Sequence, residues 1–244
     1  MSRNKQILLI NCDMGEWDAP HLTPCDDEIM PFVDMCNIAC GGHAGTAEII
    51  EQTIALAIKN NVKIGAHPGF HDSENFGRKY ILLNQRDLYN SLKCQLEIFL
   101  YICDSLDANP FHIKAHGALY HACNKNELES YVFIETIKEL CPDLTILVAP
   151  GSLLEDAAKR EGLSTLSESF IDRRYNHDLS LVSRSEVSAV ITDAMTAKEQ
   201  FELLSYGEII TNSGLKRELI SQTACIHGDN PNCVQILNAI REDV

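Results

Sequence analysis

Phe111-His112-Ile113-Lys114-Ala115-His116-Gly117-Ala118-Leu119-Tyr120-His121 reads as a strand with apolar Phe111 and Ile113 that ends in a lysine and a histidine. A glycine follows at which the backbone can turn. Residues two apart on an extended chain share a face, so Lys114 and His116 point the same way and Ala115 the other. A cation, an imidazole of adjustable protonation and a permissive glycine at a strand end are the parts of an active-site rim. Partners for this pair must come from other strand ends, and how those ends can meet decides the fold.

Moving outward from this stretch, the same ending recurs. Residues 6–12 form an apolar run suited to a strand buried on both faces, followed by Asp13-Met14-Gly15-Glu16. After a loop and a short helix up to Asp34, residues 35–40 read as a strand that ends in Gly41-Gly42-His43-Ala44-Gly45. Residues 62–66 read as another, stopped by His67-Pro68-Gly69-Phe70. Helices are expected over 46–60, with Thr46 as N-cap, and over 84–106, from the apolar spacing of Leu88, Leu92, Leu96 and Phe99. Downstream come helix 127–140, strand 145–149, helix 152–161 and strand 163–170, the last leading to Asp172-Arg173-Arg174-Tyr175. Helix 194–204 follows. Segments 208–211 and 222–226 are expected to pair as strands, the second ending in His227-Gly228-Asp229, and helix 230–241 closes the chain.

Strands alternating with helices predict a parallel α/β architecture, either an open doubly wound sheet or a closed barrel. In an open sheet the first and last strands are far apart, and their polar ends could not share a pocket. In a barrel they converge on one mouth. The expectation is therefore a seven-stranded (β/α) barrel forming one domain over residues 1–244.

Composition narrows the function. Twenty basic against 35 acidic residues give a formal charge of −15, which opposes binding to nucleic acid and to anionic membranes. The ten cysteines contain no C-x-x-C pair and read as reduced structural thiols. The N-terminus lacks the pattern of a signal peptide, and no apolar run is long enough for a membrane span, so a cytoplasmic protein is expected. There is no P-loop, no G-x-G-x-x-G after the first strand, no H-E-x-x-H and no G-x-S-x-G. What remains is a small-molecule hydrolase or lyase with acid–base residues and room for a divalent metal.

Asp13, Glu16, His43, Lys114 and His116 are the candidates for the chemistry, since paired carboxylates and imidazoles move protons. His67, Arg78, Asp172, Arg173, His227 and Asp229 are the candidates for holding substrate, with Lys114, Arg78 or Arg173 as the cation for an anionic ligand. Asp229 either orients a histidine or caps the last helix.

Eight motifs, in order along the chain, then support a resemblance. Asn11-Cys-Asp-Met-Gly-Glu16, Asn37-Ile-Ala-Cys-Gly-Gly-His-Ala-Gly45, Gly65-Ala-His-Pro68, Asn75-Phe-Gly-Arg78, Lys114-Ala-His-Gly-Ala-Leu-Tyr120, Asp172-Arg-Arg-Tyr175, Leu181-Val-Ser-Arg184 and Cys225-Ile-His-Gly-Asp229 together resemble the LamB/YcsF family. The resemblance implies a barrel of the glycoside hydrolase/deacetylase type. It implies ATP-dependent opening of the 5-oxoproline lactam to glutamate, with ATP and its Mg as co-substrate and with 5-oxoprolinase subunits B and C as partners. Two rivals are a stand-alone metal-dependent deacetylase-like hydrolase, with Asp13, His43 and His116 as ligands, and a non-catalytic substrate-binding subunit. The chain departs from the family pattern at Gly42, where an aromatic is usual, and at Thr46, where an aspartate would offer a ligand or base. It departs again at Ala115, usually proline, and at Arg174, usually glycine.

Overall fold

Closure of the sheet brings the strand ends together. The computed structural model describes residues 5–18 and 25–242. Its strands are β1 (Leu9–Met14), β2 (Met35–Ala39), β3 (Lys63–His67), β4 (His112–Ile113), β5 (Thr145–Val148), β6 (Thr165–Phe170), β7 (Glu208–Ile210), β8 (Lys216–Glu218) and β9 (Thr223–His227). Strands β1 to β6 pair in sequence order and β9 fills the gap between β6 and β1, giving a closed barrel of seven parallel strands. In register, Asp13 lies opposite both Asn37 and His227, and Ala39 lies opposite His67. First and last strands therefore present their ends to the same mouth.

The helices are α1 (Asp26–Ile29), α2 (Ala47–Asn60), α3 (Gln85–Ser105), α4 (Gly117–Lys125), α5 (Glu127–Leu140), α6 (Leu153–Arg160), α7 (Ala194–Ser205) and α8 (Cys233–Arg241). Four begin where a short polar side chain satisfies an orphan amide: Thr46 caps α2, Asn84 caps α3, Ser152 caps α6 and Asp193 caps α7. Each then turns an apolar stripe to the barrel. Ile50 and Ile54 of α2 and Leu92 and Phe99 of α3 are buried against it, each worth roughly 1.5–3 kcal/mol of transfer free energy.

Alternation within the strands divides the interior. Ile10, Cys12, Met14, Ile38, Ile64 and Ile113 belong to the apolar layer. Their neighbours Asn11, Asn37 and Thr223 meet across the lumen: Asn11 Nδ2 donates to Thr223 Oγ1 at 2.9 Å and Asn37 Nδ2 to Asn11 Oδ1 at 2.7 Å. His112 Nε2 donates to Asn37 Oδ1 at 2.7 Å, and a Cβ on Gly65 would overlap the His112 ring. A parallel barrel normally fills its lumen with branched apolar side chains. This one carries a hydrogen-bonded polar column that leads up to the mouth.

Three expectations are corrected. Segments 208–211 and 222–226 do not pair with each other: β7 pairs antiparallel with β8 outside the barrel, while β9 is a barrel strand. The polar residues after Ile113 do not form an extended rim. His116 sits at the N-cap position of α4, a helix that the sequence pattern does not announce. In addition, β1 runs through Asp13 to Met14, so Asp13 is an inward-facing strand residue and not part of a following turn.

Candidate active site

The polar column ends in a buried ion cluster. Lys114 Nζ donates to Asp13 Oδ1 at 3.0 Å and lies 2.9 Å from Glu168 Oε1 and 3.0 Å from Cys225 Sγ. Burial opposes an ammonium here, but Asp13, Cys225 and Glu168 outweigh it and hold Lys114 well above its ordinary pKa. Burial likewise opposes the Asp13 carboxylate, while His67 and Lys114 pull it well below the usual range. Both groups are charged at neutral pH, which makes Asp13 a poor base and a good anchor.

Above this layer stand three imidazoles and a carboxylate. His67 Nδ1 lies 2.8 Å from the carbonyl of Lys114, and His116 Nε2 lies 2.9 Å from the carbonyl of Phe76. A carbonyl only accepts, so each of these nitrogens carries the hydrogen. The remaining nitrogens, His67 Nε2 and His116 Nδ1, face each other at 3.0 Å. Glu16 Oε1 is 3.4 Å from His116 Nδ1 and 2.9 Å from His43 Nε2. The His43 ring lies flat on His116, with centroids 3.5 Å apart and planes 4° from parallel. Burial, then His116, pushes His43 well below its usual pKa, and burial, then Asp13, pushes Glu16 well above. Burial thus disfavours charge on either partner of the Glu16–His43 contact. Glu16, His43, His67 and His116 each offer a ligand atom within 4.8 Å of the others, an arrangement that can hold a metal ion.

Glycines make this packing feasible. Gly77 has φ +58, and a Cβ there would press on His43 and His116 at 2.8 and 2.9 Å. Its carbonyl would in turn meet a Cβ on Gly117 at 2.7 Å. The loop carrying Phe76 can therefore close over the histidines only with glycine at both positions.

The mouth is a cavity of about 280 Å³, at the small end for ligand sites. Asp13, Glu16, His67, Lys114, His116, Arg78, Arg173, His227 and Asp229 all line it. His43 and Asp172 do not. His43 lies behind Glu16. Asp172 accepts from His227 Nδ1 at 2.8 Å and from Asn230 Nδ2 at 3.0 Å, so it fixes the His227 ring and does not meet a ligand. Asp229 neither orients a histidine nor caps α8, whose N-cap is Asn232; it pairs with Arg78 and, at 3.1 Å, with Arg184. Arg173 is different. Its Nη2 donates to the Val182 carbonyl at 2.6 Å, its Nε is buried without a partner, and no carboxylate pairs with it among the described residues. Burial and the neighbouring Arg184 push its guanidinium down to about 10, still charged at neutral pH.

Sequence reasoning missed Glu168, Arg184 and His112. Glu168 is a carboxylate inside a buried strand, and such a residue is rare without a partner. His112 precedes Lys114 by two and shares its face, so the alternation applied to Lys114 and His116 reaches it as well. Arg184 belongs to one of the eight motifs, but its spacing alone suggests no role. The ligand set Asp13, His43 and His116 expected for a metal is not brought together: His43 and His116 cluster with Glu16 and His67, whereas Asp13 groups with Cys225 and His227. Two departures from the family pattern have a structural reading. Thr46 is exposed and its hydroxyl accepts from the Ile49 amide, so the position is a helix cap and no ligand is lost there. Gly42 has no room for an aromatic, because even a Cβ would overlap the side-chain amide of Gln95. Ala115, expected to face away, contributes to the cavity wall.

Comparison with known proteins bears on the family and the fold. The A component of 5-oxoprolinase from Natranaerobius thermophilus is 36% identical over 237 residues, 97% of this chain and 92% of that protein. The same component from Staphylococcus aureus is 36% identical over 234 residues, covering 96% and 94%. The crystal structure of a lactam utilization protein from Thermus thermophilus superposes with a TM-score of 0.88 at 28% identity, covering 97% of this chain and 96% of that one. The LamB/YcsF family model matches residues 8–244, which takes in every barrel strand and every residue of the cluster. On sequence and on fold alike, the chain belongs to the LamB/YcsF family.

Proposed function

We propose that this chain is the lactam-opening subunit of an ATP-dependent 5-oxoprolinase, converting 5-oxo-L-proline to L-glutamate in complex with subunits B and C. The names of its relatives support the reaction class, and Arg173 is the observation that carries it to this cavity. Among the cations at the mouth, Lys114 has its charge matched by two carboxylates, and Arg78 and Arg184 share Asp229. Arg173 retains donors for the carboxylate of a small substrate, beside groups able to move protons.

The chemistry explains the need for ATP. Amide resonance makes a lactam a poor electrophile, and transfer of the γ-phosphoryl group to the lactam oxygen activates its carbon. Water adds to that carbon, the ring C–N bond breaks as the nitrogen takes up a proton to become the amine, and the γ-glutamyl phosphate so formed is cleaved by a second water to glutamate and phosphate. His227, its Nδ1 bonded to Asp172, lines the cavity outside the histidine cluster and is placed to exchange those protons. Lys114, its charge matched by Asp13 and Glu168, fixes the cavity floor beneath the substrate. A cavity of this size suits the lactam. Cytoplasmic ATP fits the reading, and no helix among the described residues is long and apolar enough to cross a membrane.

Arg173→Ala tests the assignment. A charge-assisted hydrogen bond contributes about 1.5–3 kcal/mol, so kcat/KM for 5-oxoproline in the assembled complex should fall roughly 10- to 100-fold, mostly through KM. An unchanged KM for 5-oxoproline would remove Arg173 and the proposed binding mode. One observation favours a second reading: the three-histidine cluster suits a metal-dependent amide hydrolase acting without ATP or partners.

A further inference from the structure

We infer that Glu16, His67 and His116 form a three-ligand site for a first-row divalent transition metal, open toward the cavity, with His43 orienting Glu16 from behind. The Lys114 and Phe76 carbonyls fix the tautomers of His67 and His116, leaving His67 Nε2 and His116 Nδ1 as lone pairs 3.0 Å apart. Two lone pairs at that distance repel. A histidine packed only for structure would present a donor to an acceptor. A proton on His67 Nε2, which also lies 3.4 Å from Asp13 Oδ2, or a metal ion between the two nitrogens relieves this contact, and Glu16 lies 3.4 Å from His116 Nδ1.

The surroundings fit a metal better than a shared proton. Imidazoles that ligate metals characteristically donate their other N–H to a backbone carbonyl or carboxylate, and both histidines do so. Ligands about 2.1 Å from a tetrahedral ion stand roughly 3.4 Å apart, close to the separations seen. Two imidazoles and a carboxylate favour zinc, cobalt or nickel over magnesium or calcium.

The four residues able to hold an ion separate into three and one. Glu16, His67 and His116 line the cavity, whereas His43 does not. Because the His43 ring is stacked parallel to His116, an ion in the plane of one ring is out of the plane of the other. His43 instead donates its Nε2 hydrogen to the Glu16 carboxylate. Three protein ligands with the fourth position facing a cavity is the arrangement of catalytic rather than structural zinc. Metal binding at these residues does not depend on the lactam reading, and the test reads metal rather than turnover.

The test is metal analysis of the purified full-length chain, followed by chelation and titration with cobalt(II). One equivalent should bind, with a visible spectrum of low-coordinate cobalt. The proton spectrum should show two exchangeable, hyperfine-shifted imidazole N–H signals, from His67 Nδ1 and His116 Nε2. His67→Gln with His116→Gln should abolish binding in a chain whose circular dichroism is unchanged, while His43→Gln should weaken it roughly 10- to 100-fold. The wild-type spectrum decides the matter even if the double variant fails to fold. Failure of the folded wild-type chain to bind zinc, cobalt or nickel at saturation would overturn the inference, as would a third imidazole signal or full binding by the double variant.

Discussion

Lys114 is the residue on which the most charge converges. Its ammonium is 3% exposed and within 3.0 Å of Asp13 and 2.9 Å of Glu168. Replacing one member of such a cluster strands the others in a medium that solvates them poorly. Lys114→Met should therefore cost about 3–5 kcal/mol in urea unfolding, and adding Glu168→Gln should recover part of it. A loss below about 1 kcal/mol would mean that the carboxylates are not charged there. Gly42 offers a second test. Its neighbour Gln95 is bonded through its amide to both the N–H and the carbonyl of Gly69, so it cannot swing aside cheaply. Gly42→Ala should destabilise by about 1–3 kcal/mol, with partial recovery on Gln95→Ala; a neutral Gly42→Ala would contradict the packing. At this scale the strand-end residues were legible because glycine and proline mark strand ends. Glu168 and His112 were not, because they sit inside runs whose alternate members are apolar.

Helices with a capping residue and an apolar stripe were legible to within a residue or two, as α2, α3 and α6 illustrate. Thr46 shows the limit of motif comparison at this scale. Against the family pattern it is a lost acid; in the structure it is an exposed cap of α2. Thr46→Ala should lower stability by about 1 kcal/mol and leave turnover unchanged. A change in kcat for Thr46→Asp would show that the position does reach the site. Helix α4 was missed because Ala118, Leu119 and Tyr120 form an unbroken apolar run after a glycine, a pattern that suits a strand as well as a buried helix. The ribbon of β7 and β8 was missed for another reason. Local alternation identifies a strand and says nothing about its partner, so Glu208–Ile210 could not be assigned to Lys216–Glu218 in advance of the fold.

For the molecule as a whole, barrel closure was legible because polar endings recur from the first strand to the last, and only closure lets such ends meet. The same closure buries ionised groups at the junction of β6 and β9, which links stability to pH. Asp172, wholly buried, would be raised by burial, but His227 and Asn230 hold it below its ordinary value. Its folded-state pKa is thus below the unfolded one, so its contribution is complete above about pH 4 and is lost as the pH falls through the folded value. Asp26, raised by burial to about 6, works in the opposite sense, withdrawing stability as the pH rises from about 4 to 6. The melting temperature should therefore fall on acidification below about pH 4, and Asp172→Asn should flatten that fall. An equally steep acid limb in the variant would assign the loss to other carboxylates.

The central claim is that this chain opens a lactam within an ATP-driven assembly. It is tested most directly by measuring glutamate formed from 5-oxoproline by the chain with subunits B and C and ATP, and by the same mixture lacking each component in turn. Glutamate should form only when all are present. Glutamate formed by the chain alone without ATP, or by subunits B and C without the chain, would contradict the claim.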